Sequence, residues 1–217
     1  MISRPVAIIV ATALMLSGTL AQAEQNWMVR GRILNVAPND SSGEVSTLPG
    51  SGVEVDGDTT LELDFTYMFT RHVGVEFILG TSKHTLKGDG TIAALGEIGE
   101  ARTLPPVVTL QYHFAPDGTG MRPYVGVGAN YTKFYDESVT SSLEAALGPT
   151  KLEIDDSTGL AAQVGVDFPI GGRWLLNLDA KYIVMETEAT LRSGGVSRRV
   201  DIDLNPWFLG FGLGTRF

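Results

Sequence analysis

The chain closes on Trp207-Phe208-Leu209-Gly210-Phe211-Gly212-Leu213-Gly214-Thr215-Arg216-Phe217. Trp207, Leu209, Phe211 and Leu213 are large and apolar, and Gly210, Gly212 and Gly214 stand between them. Successive side chains of a β-strand point to opposite faces, so this period of two reads as a strand. One of its faces meets an apolar medium. The other meets something that leaves no room for a side chain.

The same alternation recurs upstream. Val125, Val127, Ala129 and Tyr131 oppose Gly126, Gly128 and Asn130, and Leu160 to Phe168 and Trp174 to Val184 behave alike. Leu61 to Phe69, Val73 to Leu79, Val108 to Phe114 and, less cleanly, Trp27 to Val36 complete the set of eight. Their lengths are roughly the 9–11 residues that cross a bilayer when tilted. A β-sandwich also alternates, but two features separate the cases. Connections alternate between long (near 38–58, 85–103, 136–157 and 188–199) and short (Thr70-Arg71-His72, Asp117-Gly118-Thr119-Gly120, Ile170-Gly171-Gly172-Arg173), as in barrels with long outer loops and short periplasmic turns. Aromatics fall at both strand ends. Trp27, Tyr67, Phe69, Tyr112, Phe114, Phe168, Trp174 and Phe217 lie near the short turns, and Tyr131, Tyr182 and Trp207 near the long loops, as two interfacial girdles. The sequence therefore predicts an all-β, eight-stranded antiparallel transmembrane up-and-down β-barrel over 24–217, in the outer membrane of a Gram-negative bacterium. Both termini are expected in the periplasm. Outer-membrane lipids are the expected surroundings, and the terminal Phe217 resembles the signal read by the outer-membrane insertion machinery.

Residues 1–23 read as a secretory signal peptide. Arg4 gives a basic start, Val6 to Leu16 an apolar stretch, and Ala21-Gln22-Ala23 a cleavage site. The stretch is shorter than the ~20 residues a spanning helix needs. The 217 residues contain no Cys and three His, which excludes disulfide staples and Cys-ligated zinc and leaves little for a His-based metal site. A net charge of −9 argues against nucleic acid as a partner.

The second face of each strand lines the lumen, which in an eight-stranded barrel is just wide enough for side chains or one small ligand. Its lower half collects Arg30, Arg32, Glu62, Asp64, His113, Asp167, Asn177, Asp179 and Arg216. Mixed charges at that depth read as a paired plug, since an unpaired buried charge is costly; an ion or proton path is the other reading. The upper half presents Leu34, Val36, Ile78, Val107, Ile183, Met185 and Phe208. These either pack a narrow barrel or wall a hydrophobic pocket, open outward and floored by the plug, for a small hydrophobic ligand.

Loop one, rich in Gly, Ser and Asp, is expected to be mobile. In loop three, Ser142 to Leu147 suits a helical turn ending at Gly148. Apolar residues in the loops could roof the pocket or simply dock on its rim. Glu153-Ile154-Asp155-Asp156 is either a weak cation site or a solvated loop top. No G-x-S-x-G, H-E-x-x-H or P-loop occurs, and no cofactor is implied. Ser82 and His84, two apart, are the best nucleophile–base candidates. By strand phase they point inward or leave the strand altogether, so the chain reads as a non-enzyme with a polar cluster at the rim.

Several stretches resemble the OmpW family of small outer-membrane barrels. They are Leu104-Pro105-Pro106 leading into Leu110-Gln111-Tyr112-His113-Phe114, and Arg122-Pro123-Tyr124-Val125-Gly126-Val127-Gly128-Ala129-Asn130-Tyr131-Thr132. Lys83-His84, Asp201-Ile202-Asp203 before Pro206-Trp207, and Phe217 extend the likeness over the mature chain. The resemblance implies a hydrophobic lumen entrance that passes small hydrophobic molecules, which leave sideways into the bilayer above a blocked lower lumen. Pro105 and Pro106, lacking the ladder donor, are the natural place for that lateral exit. The competing function is a structural or adhesive surface barrel whose extracellular loops bind a host or phage.

Overall fold

The computed structural model describes residues 26–115 and 120–217; the segment 1–23 that reads as a signal peptide, and Asp117 to Thr119 of one short turn, lie outside them. Fifteen strands occur among the described residues. In chain order they are β1 (Trp27–Ala37), β2 (Ser41–Ser42), β3 (Ser51–Val55), β4 (Asp58–Met68), β5 (Val73–Gly80), β6 (Ser82–Gly90), β7 (Glu97–Leu104), β8 (Val107–His113) and β9 (Arg122–Val139). A helix α1 (Ser141–Leu147) precedes β10 (Thr150–Ile154), β11 (Ser157–Gly171), β12 (Trp174–Ile183), β13 (Glu186–Ser193), β14 (Val196–Asp203) and β15 (Trp207–Arg216).

Eight of these strands close a barrel in the order β1, β4, β5, β8, β9, β11, β12, β15. The seam is an antiparallel ladder from Met28↔Arg216 to Ala37↔Trp207. Closure leaves no free edge, as a β-structure that spans a membrane requires. The alternation holds along the barrel strands. Ile33, Leu61, Val127, Leu160 and Phe211 point outward with 53–71% of their surface exposed. An apolar belt of that extent is tolerable against lipid and not against water. Its aromatic edges are packed: Trp27 on Tyr67 (4.9 Å) and Tyr112 on Phe114 (5.2 Å) near the short turns, Tyr182 on Trp207 (5.2 Å) at the opposite end.

The long connections differ from expectation. They are strands that rise above the barrel. On one side β9 runs on past the wall and pairs with β7, which pairs with β6 and β6 with β3. On the other, β10, β13, β14 and β2 form a second sheet. Loop one is not a mobile loop in this structure. It is tied by Gly43 N–H to the Asp201 carbonyl (2.9 Å), Ser46 N–H to Arg199 (2.8 Å) and Thr91 N–H to Gly50 (2.9 Å). Its polar composition concealed three apolar positions, Val45, Val53 and Val55, which are buried in the apolar cluster. Helix α1 matches the sequence: the Thr140 hydroxyl accepts from Leu143 N–H, and Gly148 (φ 81°) ends it.

Candidate functional site

The lumen is built in two storeys. In the lower one, Arg30 of β1 lies 3.2 Å from Asp64 and 3.0 Å from Asp167. Arg32 reaches Glu62 at 2.5 Å, Asp64 at 2.6 Å and Glu76 at 3.2 Å. Lys181 of β12 is 2.5 Å from Asp179 and 3.5 Å from Glu62. Tyr124 stands among them, donating to Asp179 (2.7 Å) and accepting from Asn177 (3.0 Å). Gln163 donates to Glu76 (2.8 Å) and Asp179 (2.7 Å). These side chains are all buried, and they tie β1 to β4, β5, β11 and β12 across the lumen. Carboxylates from Glu62, Asp64, Glu76, Asp167 and Asp179 face Arg30, Arg32 and Lys181. Arg216 sits at the lower rim, 3.8 Å from Asp167. The near balance of charge is what makes their burial tolerable.

The residues expected in this floor, Arg30, Arg32, Glu62, Asp64, Asp167, Asp179 and Arg216, are thus brought together. His113 stacks on Tyr124 at 5.0 Å. Sequence reasoning missed Glu76, Lys181, Tyr124 and Gln163 as members. The signal was present, because the strand phase puts all of them on the inward face.

Space for these groups comes from the glycines. A Cβ on Gly165 would lie 2.2 Å from the Tyr124 ring, and one on Gly210 would lie 2.9 Å from Arg32 Cδ. The bare inner face of β15 is therefore the bed on which the long side chains of β1 lie.

The upper storey is apolar. Leu34, Val36, Ile78, Val107, Ile183, Met185 and Phe208 are buried in one cluster. That cluster continues upward into Val55, Leu86, Phe134, Ile154, Ile202 and Leu204 of the two outer sheets. A cavity of about 30 Å³ lies where the storeys of sheet and barrel meet. Val36, Met185 and Phe208 line it. Leu34, Ile78, Val107 and Ile183 do not; Leu34 and Ile183 lie two residues before the lining Val36 and Met185, Ile78 lies six before His84 and Val107 four after Thr103, and together they pack the layer beneath. The expected open pocket is thus higher in the molecule, and it is roofed by the outer sheets. At this size it holds no more than a water or two.

Ser82 and His84 face inward, as their phase requires, and are joined. Ser82 Oγ is 2.8 Å from His84 Nε2 and 2.7 Å from Thr103 Oγ1, and His84 Nδ1 is 2.8 Å from the Asp56 carbonyl. His84 and Thr103 are part of the cavity wall. Burial holds the His84 pKa below the ordinary histidine value, against the opposing pull of the Asp56 carbonyl and Asp58. Elsewhere in the outer region, the acidic run at 153–156 is engaged with protein groups. Glu153 pairs with Lys151 and Arg192, and Asp156 accepts from Tyr131 and from Phe134 N–H.

Pro105 and Pro106 link β7 to β8. On one side the ladder stops at Ile78↔Val107 and resumes at Ser82↔Thr103. On the other, the Pro106 carbonyl still accepts from Tyr131 N–H at 3.2 Å. The prolines thus border an interruption in the wall between β5–β6 and β7–β8, level with the apolar storey.

A closed barrel with a lipid-facing belt, a lumen sealed by ion pairs and an apolar storey above the seal defines a small transmembrane β-barrel. The OmpW family matches residues 23–217, and the chain belongs to that family of outer-membrane proteins. It is 38% identical over 210 residues to outer membrane protein W of Vibrio cholerae serotype O1, covering 96% of each chain. It is 27% identical to the dibenzothiophene metabolism operon protein PahQ of Pseudomonas aeruginosa over the full length of both. The crystal structure of the outer membrane protein OprG from Pseudomonas aeruginosa superposes with a TM-score of 0.83 at 31% identity, covering 88% of this chain and 95% of that one.

Proposed function

We propose that the barrel takes small hydrophobic molecules from the external medium into the apolar storey and releases them sideways into the outer membrane beside Pro105 and Pro106. The observation that carries this reading is an apolar cavity standing on a sealed, charged floor. A molecule arriving from above cannot continue down the axis, and the interrupted ladder at 104–106 offers the nearest way through the wall. The operon named in the PahQ relative supports the same direction, since dibenzothiophene is an apolar fused-ring compound. The cavity is narrow, so entry requires the two outer sheets to part.

The test is uptake of dibenzothiophene by proteoliposomes, followed by fluorescence. Phe208→Asp places a charge on the cavity wall and should reduce uptake to that of protein-free vesicles, whereas Phe208→Leu should retain it. Replacing both Pro105 and Pro106 with Val should slow release by restoring ladder donors. Wild-type uptake by a Phe208→Asp barrel whose heat-shifted gel mobility shows it folded would overturn the reading. In that event exchange of the outer loops would become the informative experiment, because a surface-adhesive barrel depends on them alone.

A further inference from the structure

The Ser82–His84–Thr103 cluster forms a chain of hydrogen bonds whose direction is fixed at one end. A carbonyl oxygen only accepts, so the Asp56 carbonyl, 2.8 Å from His84 Nδ1, takes a proton from that nitrogen. In a neutral imidazole the other nitrogen then has no hydrogen and must accept. Ser82, 2.8 Å from Nε2, is therefore the donor there. Its only hydrogen is used, so the 2.7 Å contact with Thr103 requires the Thr103 hydroxyl to donate to Ser82. The chain ends at Thr103, a residue of the cavity wall, whose Oγ1 keeps lone pairs and has no free hydrogen. The second hydroxyl of that wall, Thr187, donates to the Asp155 carbonyl at 2.6 Å. Every side-chain hydrogen on a nitrogen or oxygen of the wall is committed to the protein.

We infer that this cavity selects among hydrophobic molecules by a single polar group, binding those that carry one hydrogen-bond donor, such as alcohols and phenols, in preference to ketones, esters and bare hydrocarbons. This rests on the reading that the apolar storey receives the transported molecule, and it adds the chemical class. With the outer sheets parted to admit it, an alcohol donates to Thr103 Oγ1 while its alkyl chain lies against Val36, Met185 and Phe208. A ketone brings an acceptor to a wall of acceptors and leaves it unpaired in an apolar site, which is unfavourable. A hydrocarbon gains the apolar contact and nothing at Thr103.

The experiment measures binding of 1-octanol, 2-octanone and octane to the full barrel in lipid nanodiscs, read from the labelled methyl of Met185. Octanol should bind more tightly than either of the others by roughly two- to tenfold, the worth of one net hydrogen bond. Thr103→Val, close in shape, should lower octanol affinity toward that of octane and leave octane unchanged; Thr103→Ser should keep the preference. Ser82→Ala should release the Thr103 hydrogen and raise 2-octanone affinity. Equal binding of octanol and 2-octanone by the native barrel, with octane also bound, would overturn the selection while leaving hydrophobic uptake standing. Loss of octanol preference in Thr103→Ser would overturn it too. If none of the compounds moves the Met185 signal, the uptake reading fails and the selection with it.

Discussion

Arg32 shows how much of a buried site a single residue decides. Its guanidinium contacts Glu62, Asp64 and Glu76, and its Nε donates to Asn177 at 2.6 Å, so removing it leaves several carboxylates without compensation. Arg32→Met should destabilise the barrel by about 3–5 kcal/mol, the usual consequence of breaking a buried pair from one side. Urea unfolding in lipid vesicles, followed by Trp fluorescence, checks this. Adding Glu62→Gln should recover part of the loss, and a single variant as stable as the native barrel would show that the floor is not held by charge. Alternation made the inward position of Arg30, Arg32, Glu62 and Asp64 legible from the residues. It did not show which acid meets which base, because that depends on the register between strands far apart in the chain. The three glycines of β15 make the same point. Their smallness was visible, but its cause is visible only once β1 pairs with β15, laying Arg32 on Gly210, Arg30 on Gly214 and the backbone at Gly31 against Gly212.

At the scale of elements, the membrane strands were legible and the outer strands were not. In β13 and β14 the buried positions Ala189, Leu191, Val200 and Ile202 alternate with Thr, Arg and Asp. That charged outer face made them read as loop. The two outer sheets have separate ladders, and at β2 and β3 they meet through side chains. Ser42 Oγ accepts from Val53 N–H at 2.7 Å, and Asp40 accepts from Val55 N–H at 2.8 Å. A seam of that kind parts more readily than a ladder, which is what entry to a 30 Å³ cavity demands. A Cβ built on Gly52 lies 3.2 Å from Ser42 Oγ, the position that a cysteine sulfur would take, which brings the pair within reach of a disulfide. The chain has no cysteine, so Ser42→Cys with Gly52→Cys forms one defined cross-link. Oxidised, this barrel should take up dibenzothiophene several-fold more slowly than when treated with dithiothreitol. Equal rates would mean that molecules enter by a path other than this seam.

For the whole molecule, the asymmetry of its two ends bears on orientation. One end carries two sheets, a helix and the apolar storey; the other carries tight turns and the chain terminus at Phe217, whose N–H bonds the Trp27 carbonyl at 2.9 Å. Uptake from the medium requires the elaborate end to face outward and the short turns, with Trp27 and Phe217 beside them, to face the periplasm. Two glycine turns report on this without disturbing the barrel. Gly194 and Gly195 join β13 to β14, and Gly171 ends β11 with Gly172 following it before β12. All four have positive φ and open space where a side chain would project. A peptide epitope inserted between Gly194 and Gly195 should bind antibody on intact cells. The same epitope between Gly171 and Gly172 should bind only after the outer membrane is permeabilised. The converse pattern would turn the apolar storey toward the periplasm. The charged floor would then seal the barrel from the medium, and the same residues would have to serve export or a periplasmic ligand.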